Sequence, residues 1–241
     1  MGENIKKIVS EFIKIPVEQI NENTGIGRPV LANSILVHRM YAAIAKEGFE
    51  INNYQEINNY GELLNRISGN QQAEKSFPSI VANNNFESHN QTHGIGIDIE
   101  EISNLPLTND FREEEFYKMN FTSQEISFCN IQPDPYASFT GLFAVKEAIV
   151  KANSYYRNIP FNKIFVDHLE DGKPVFGGFQ ISISHTNNIA IAVAVKDSGN
   201  LATANVVSSY NEPSKSQGLI FVLSVLAIIL AVVAIVLTIL K

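Results

Sequence analysis

The sequence predicts an α+β domain preceded by a small all-α helical bundle and followed by one transmembrane helix. Three observations predict it. Apolar residues recur at helical spacing through the first 68 residues, residues 92–196 mix strand-like alternation with helical periodicity, and residues 219–240 carry no charged side chain. Polar stretches separate these parts. The expected layout is a helical module at 1–68, a linker at 69–91, the α+β module at 92–196, a tether at 197–217 and an anchor at 218–240.

Composition narrows the function classes. A net charge of −7 over 241 residues, with no Lys/Arg run, argues against a general nucleic-acid binder. The single cysteine, Cys129, excludes an internal disulfide and a cysteine-cluster zinc site, and suits a buried small hydrophobe.

The first helix is expected from Ile5, Ile8, Val9, Phe12 and Ile13. Lys6, Lys7, Glu11 and Lys14 interrupt that run, so it reads as an amphipathic helix and not a secretory signal, and Pro16 stops it. A second helix spans 35–46 through Ile35, Val37, Met40, Tyr41 and Ile44, with Gly48 placed for a C-cap. A third spans 60–67. About 70 residues is near the lower size for a bundle that folds alone.

In the second module, residues 92–99 alternate as a strand with Asp98 near its end, and Glu100 lies two positions on, on the same face. Two carboxylates on one face need a cation or protons between them, and oxygen ligands favour Mg²⁺ over zinc. Residues 139–152 form a strongly periodic helix, with Leu142, Val145, Ile149 and Ala152 facing a core. Glu147 and Lys151 stand four apart on a neighbouring face, as a surface ion pair or as a metal ligand and a phosphate contact. Residues 180–185 and 189–196 form a hairpin about Asn187-Asn188, with His185 at the exposed end of the first strand. Asp171-Gly172-Lys173-Pro174 marks an earlier tight turn.

Within residues 219–240 only Ser224 and Thr238 interrupt the apolar run, and Lys241 follows. About 20 apolar residues at about 1.5 Å rise match a hydrocarbon core of about 30 Å. A single-pass tail anchor is expected, with the preceding modules in the cytosol.

Four blocks then fall in a recognisable order: Gly96-Ile97-Asp98-Ile99-Glu100, Phe143-Ala144-Val145-Lys146-Glu147-Ala148-Ile149-Val150-Lys151-Ala152, Gly172-Lys173-Pro174 and Ser182-Ile183-Ser184-His185-Thr186. In this order residues 92–196 resemble the 4′-phosphopantetheinyl transferases, and Phe121-Thr122-Ser123-Gln124-Glu125 matches a further segment of that family. The family moves the phosphopantetheine arm of coenzyme A onto a serine of a carrier protein. The resemblance implies the family's α+β fold, with Mg²⁺ held by Asp98, Glu100 and Glu147. It makes Glu147 and Lys151 catalytic, and gives the nucleotide end of coenzyme A to Lys146, His185 and Thr186. Phe143 stands where a tryptophan is frequent. Only one half-unit is present, as in the short holo-acyl-carrier-protein synthases, which implies a trimer-like homo-oligomer.

The first module resembles acyl and peptidyl carrier proteins. Asn33-Ser34-Ile35 falls where that family presents its modified serine, at the start of the second long helix. An exposed Ser34 hydroxyl there would suit a phosphodiester; alternatively, Asn33 or Ser34 only caps the helix. Asparagine replaces the family's aspartate, and His38, Arg39 and Lys46 sit on a helix that is usually acidic where partners dock. The expected partners are coenzyme A, acyl carrier proteins or carrier domains, and the membrane. The alternative is a non-catalytic, membrane-anchored carrier or scaffold protein for fatty-acid or polyketide synthesis.

Overall fold

The computed structural model describes residues 2–31, 33–49, 51, 54–69 and 94–197. The expected linker, tether and membrane anchor lie outside the described residues, except for Gly69 and Asp197 at their first positions. Among the described residues no helix is long and apolar enough to cross a membrane.

Helix α1 (Gly2–Ile13) buries Ile5, Val9 and Ile13 along one stripe. It ends at Lys14, whose φ of 59° turns the chain into Pro16. A single turn, α2 (Arg28–Leu31), leads into α3 (Ser34–Lys46). The Asn33 side chain caps α3 by accepting from the Leu36 amide. Gly48, with φ 89°, takes the chain out of α3. Helix α4 (Tyr60–Gly69) completes the bundle, and Val9, Met40, Tyr41, Ile44 and Leu63 form its core.

The α+β module opens with β1 (Ile95–Glu101), followed by α5 (Glu115–Asn120) and α6 (Ser123–Asn130). Thr122 and Glu125 close a full capping box at the start of α6. Helix α7 (Pro135–Ala152) starts one turn earlier than its apolar periodicity suggests, because Asp134 caps it and Pro135 fits its first turn. A small ribbon of β2 (Asp167–His168) and β3 (Pro174–Val175) turns at Gly172. The hairpin of β4 (Phe179–His185) and β5 (Ile189–Lys196) then joins β1 in an antiparallel sheet of order β1-β5-β4.

Helix α7 lies across β1 and β5 and is buried on nearly all sides, its own Phe139 and Phe143 sharing one core with Phe116 and Phe121. The strand can approach this closely because Gly96 has no side chain: a Cβ there would stand 1.8 Å from the Ala148 carbonyl oxygen. The opposite face of β1 is apolar and exposed, with Ile95, Ile97 and Ile99 each more than half accessible.

Sequence patterning separates the two modules, yet both fall in one compact unit, Met1–Gly199. Helix α3 is the reason. Val37, Met40, Tyr41 and Ile44 bury in the bundle core, while Ile35 and Ala42 on another face belong to the core of the α+β module. Periodicity marks which α3 residues are apolar, but cannot show that two cores divide them.

Candidate active site

Because β1 alternates, Asp98 and Glu100 both point to the α7 side, and both are buried. Glu147 sits on α7 immediately before Ala148, the residue whose carbonyl Gly96 approaches, and is fully buried. Three carboxylates are thereby enclosed between one strand and one helix. Lys151, one turn further along α7, donates from Nζ to Asp98 Oδ1 at 2.6 Å and to the Ile97 carbonyl at 3.0 Å. Its ion pair is therefore with Asp98 across the strand–helix contact.

The N-terminus of α3 closes the third side. Asn33 Nδ2 donates to Glu100 Oε2 at 2.7 Å, and Ser34 lies beside the same carboxylate. His38 Nε2 lies 3.8 Å from Glu147 Oε1. The His38 ring is held between Tyr54, Phe143 and Phe161, with centroids 4.8–5.0 Å away, and its Nδ1 hydrogen-bonds Asn120 and Tyr54. Burial, then the charges of Asp98 and Glu147, push the Glu100 carboxyl up to about 8, against Asn33 and Ser34, which favour its ionised form.

Lys146 does not face this site, a correction to the expectation that it binds the nucleotide. It is fully buried on another side of α7, and Nζ donates to the Asn120 carbonyl, Glu125 Oε2 and the Phe161 carbonyl at 2.7–2.9 Å. Those three bonds use all three ammonium donors, so the side chain braces α7 against α5, α6 and the turn at Phe161. Burial lowers its pKa, while the Glu125 charge holds it up.

His185 and Thr186 lie at the rim. Glu100 pairs with Ala190, and Ala190 with His185, so the three form one row on the α7 side of the sheet. Two strand spacings put His185 roughly 10 Å from Glu100. Both His185 and Thr186 are exposed, and Thr186 Oγ1 accepts from the Asn188 and Ile189 amides to hold the turn.

The family model for the 4′-phosphopantetheinyl transferase superfamily matches residues 94–203. The chain is 38% identical over 111 residues to the holo-[acyl-carrier-protein] synthase of Chlorobaculum tepidum, covering 42% of this chain and 95% of that protein. The chain belongs to the 4′-phosphopantetheinyl transferase superfamily. It is also 38% identical over 85 residues to the fatty acid synthase subunit alpha of Candida parapsilosis, covering 34% of this chain and 4% of that one. A crystal structure of the holo-(acyl-carrier-protein) synthase of Bacillus anthracis in complex with CoA (3′,5′-ADP) aligns with 27% identity and a TM-score of 0.36, covering 44% of this chain and 96% of that one.

This phosphopantetheinyl transferase thus gathers Asp98, Glu100, Glu147, Lys151 and Ser34 at the β1–α7 contact. The Ser34 hydroxyl, expected to be exposed, is instead buried against Glu100, because α3 packs onto the transferase module. Asn33 takes the capping role, which leaves Ser34 as the first helical residue. Among the described residues no three His, Cys, Asp or Glu side chains are grouped closely enough to hold a metal ion. Glu100 is engaged by Asn33, and Asp98 by Lys151. The donor type is still that of a hard divalent cation, since Asp98, Glu100 and Glu147 offer carboxylate oxygens alone. Sequence reasoning assigns Asn33 and His38 to the carrier-like module alone, not to this site, and misses Asn120 altogether. Cations on α3 with no acidic neighbour in that helix were the available signal.

Proposed function

We propose that this transferase moves the 4′-phosphopantetheine arm of coenzyme A onto a serine of an acyl carrier protein or carrier domain, with its own Ser34 among the acceptors. The observation that carries this reading is the burial of Ser34 beside Glu100, one of the three carboxylates (Asp98, Glu100 and Glu147) enclosed between β1 and α7. The serine oxygen bonds to the β-phosphorus of coenzyme A and 3′,5′-ADP leaves. Glu147 takes the serine proton. Lys151, already at the cluster, steadies the charge that builds on the phosphate. His185 and Thr186, at the open rim, bind the nucleotide end. Asp98, Glu100 and Glu147 would hold Mg²⁺, which supplies neutralisation of phosphate charge when bound.

Two further parts of the reading rest on other features. The exposed isoleucines of β1 support a homo-oligomer, trimer-like, built through residues 92–196. The charge-free run at 219–240 supports a single-pass anchor, with the transferase module on the cytosolic side where coenzyme A is available.

The test is intact-mass spectrometry of the full apo chain in detergent, incubated with coenzyme A and Mg²⁺ beside Glu147→Ala and Ser34→Ala. A gain of one phosphopantetheine arm, lost in both variants, is expected. A gain that survives Ser34→Ala moves the acceptor elsewhere. No gain on the chain or on an added free acyl carrier protein refutes the reading.

A further inference from the structure

The contacts that bring Ser34 to the cluster continue along α3. Ser34, Ile35, His38, Arg39, Ala42 and Lys46 form one helical stripe, about 18 Å long at 1.5 Å per residue. Ile35 and Ala42 bury in the core of the transferase module. Arg39 Nη1 donates to the Asn104 carbonyl at 2.9 Å. At the far end Lys46 Nζ donates to both oxygens of Glu114, at 2.9 and 2.8 Å. The transferase module therefore meets this helix with acceptors only, a backbone carbonyl and a carboxylate, opposite its two cations. Helix α3 itself contains no acidic residue.

We propose that Asn104, Glu114 and Asn120 form the acceptor-docking surface, and that it selects a helix carrying cations at the places of Arg39 and Lys46. The inference rests on the reading of Ser34 as an acceptor and adds a specificity to it. A carrier whose corresponding helix is acidic would set a carboxylate against the Asn104 carbonyl, acceptor facing acceptor, and another against Glu114, where like charges in contact reject a partner. The chain accordingly loads its own Ser34 in preference to a free acidic carrier. The α+β module of one chain can serve the first module of the same chain or of a neighbour, because tethering raises the local concentration either way.

The experiment is a competition. The full apo chain in detergent is mixed with an equal concentration of a free acidic acyl carrier protein, coenzyme A and Mg²⁺, and mass spectrometry reads the ratio of loaded Ser34 to loaded free carrier. Lys46→Glu and Glu114→Lys should each lower that ratio, by about threefold to tenfold for reversal of a partly exposed pair. Lys46→Glu combined with Glu114→Lys should raise the ratio above that of Glu114→Lys alone, because the internal pair is restored while the free carrier meets the same reversed charge. Lys46 is half exposed and Glu114 one-fifth, so both variants are expected to fold, and circular dichroism melting checks this. A ratio unmoved by either single reversal, or a double variant no better than Glu114→Lys alone, overturns the docking surface alone. An unloaded Ser34 in the native chain overturns the self-acceptor reading and this inference with it.

Discussion

Replacing Gly96 with alanine attacks the contact that assembles the site. A Cβ at Gly96 would lie 1.8 Å from the Ala148 carbonyl oxygen, 2.7 Å from its carbon and 2.8 Å from the Ala152 amide nitrogen. All three are backbone atoms of α7, so no side-chain rotation relieves the clash. Carbon and oxygen settle no closer than about 3.3 Å, so strand and helix must part by about 1.5 Å. Overpacking of this kind costs about 1–3 kcal/mol, and here the upper end applies because nothing flexible yields. The parted elements are those that carry Asp98 and Glu100 on one side and Glu147 on the other. A displacement of about 1 Å at reacting groups costs on the order of 100-fold in rate. Urea unfolding and the initial rate of phosphopantetheine transfer measure the two effects separately. Gly177→Ala is the control, since a Cβ there meets nothing within 4 Å. A Gly96→Ala chain that keeps both its urea midpoint and its rate refutes the reasoning.

Lys146→Met should destabilise the fold by about 3–5 kcal/mol, because it leaves the buried Glu125 carboxylate without its cation. Adding Glu125→Gln should recover part of that loss in urea unfolding; no recovery would mean that the pair is not what Lys146 serves. The pH dependence of Glu100 has a definite sign. Its folded pKa of about 8 exceeds the ordinary 4.5, so between these values the folded chain holds a proton that the unfolded chain has lost. Its contribution to stability therefore falls as pH rises from about 5 to 8. With metal chelated, Glu100→Gln should flatten the pH profile of the urea midpoint across that window; parallel profiles would show that Glu100 ionises normally. Burial pushes the Cys129 thiol well up, so the native chain should resist a thiol-colouring reagent at pH 8 and react only once unfolded. Rapid labelling of the native chain contradicts that burial.

Much of the α+β module is legible in the sequence because its elements are long and strongly patterned. The alternation around Asp98 and Glu100, the apolar α7 and the hairpin about Asn187-Asn188 each carry their own period. The segment at Thr122 and Glu125 stands out in the sequence only as a family match, and the structure shows it to be the capping box of the short α6. What the sequence hides is long-range pairing. Glu147 and Lys151 are four apart and suggest each other, yet Lys151 pairs with Asp98, 53 residues away, because Gly96 brings the strand within reach. Lys146 lies beside Glu147 in the chain but 100° round the helix, which sends it into the core instead of the site. His38, Arg39 and Lys46 look anomalous within a carrier-like helix alone, and become explicable only when their partners at 104, 114, 120 and 147 are known.

The same dependence explains why residue 33 is asparagine. Its two amide ends do different work: Oδ1 accepts from the Leu36 amide at 3.2 Å and caps α3, while Nδ2 donates to Glu100 at 2.7 Å. Aspartate caps a helix as well as asparagine does, so the cap alone would allow either. Facing Glu100, aspartate loses the donor and puts a further carboxylate beside three buried ones. Hydrogen bonds to charged groups contribute about 1.5–3 kcal/mol, and a like charge adds to that loss. Asn33→Asp should therefore lower the urea midpoint of the metal-free chain clearly at pH 8. It should do so less at pH 5, where protonation of one of the facing carboxyls restores a donor. Asn33→Ser, which keeps a cap, separates the two roles. An Asn33→Asp chain as stable as the native one at pH 8 would show that α3 does not rest on Glu100, and the juxtaposition of Ser34 with the carboxylates would fail with it.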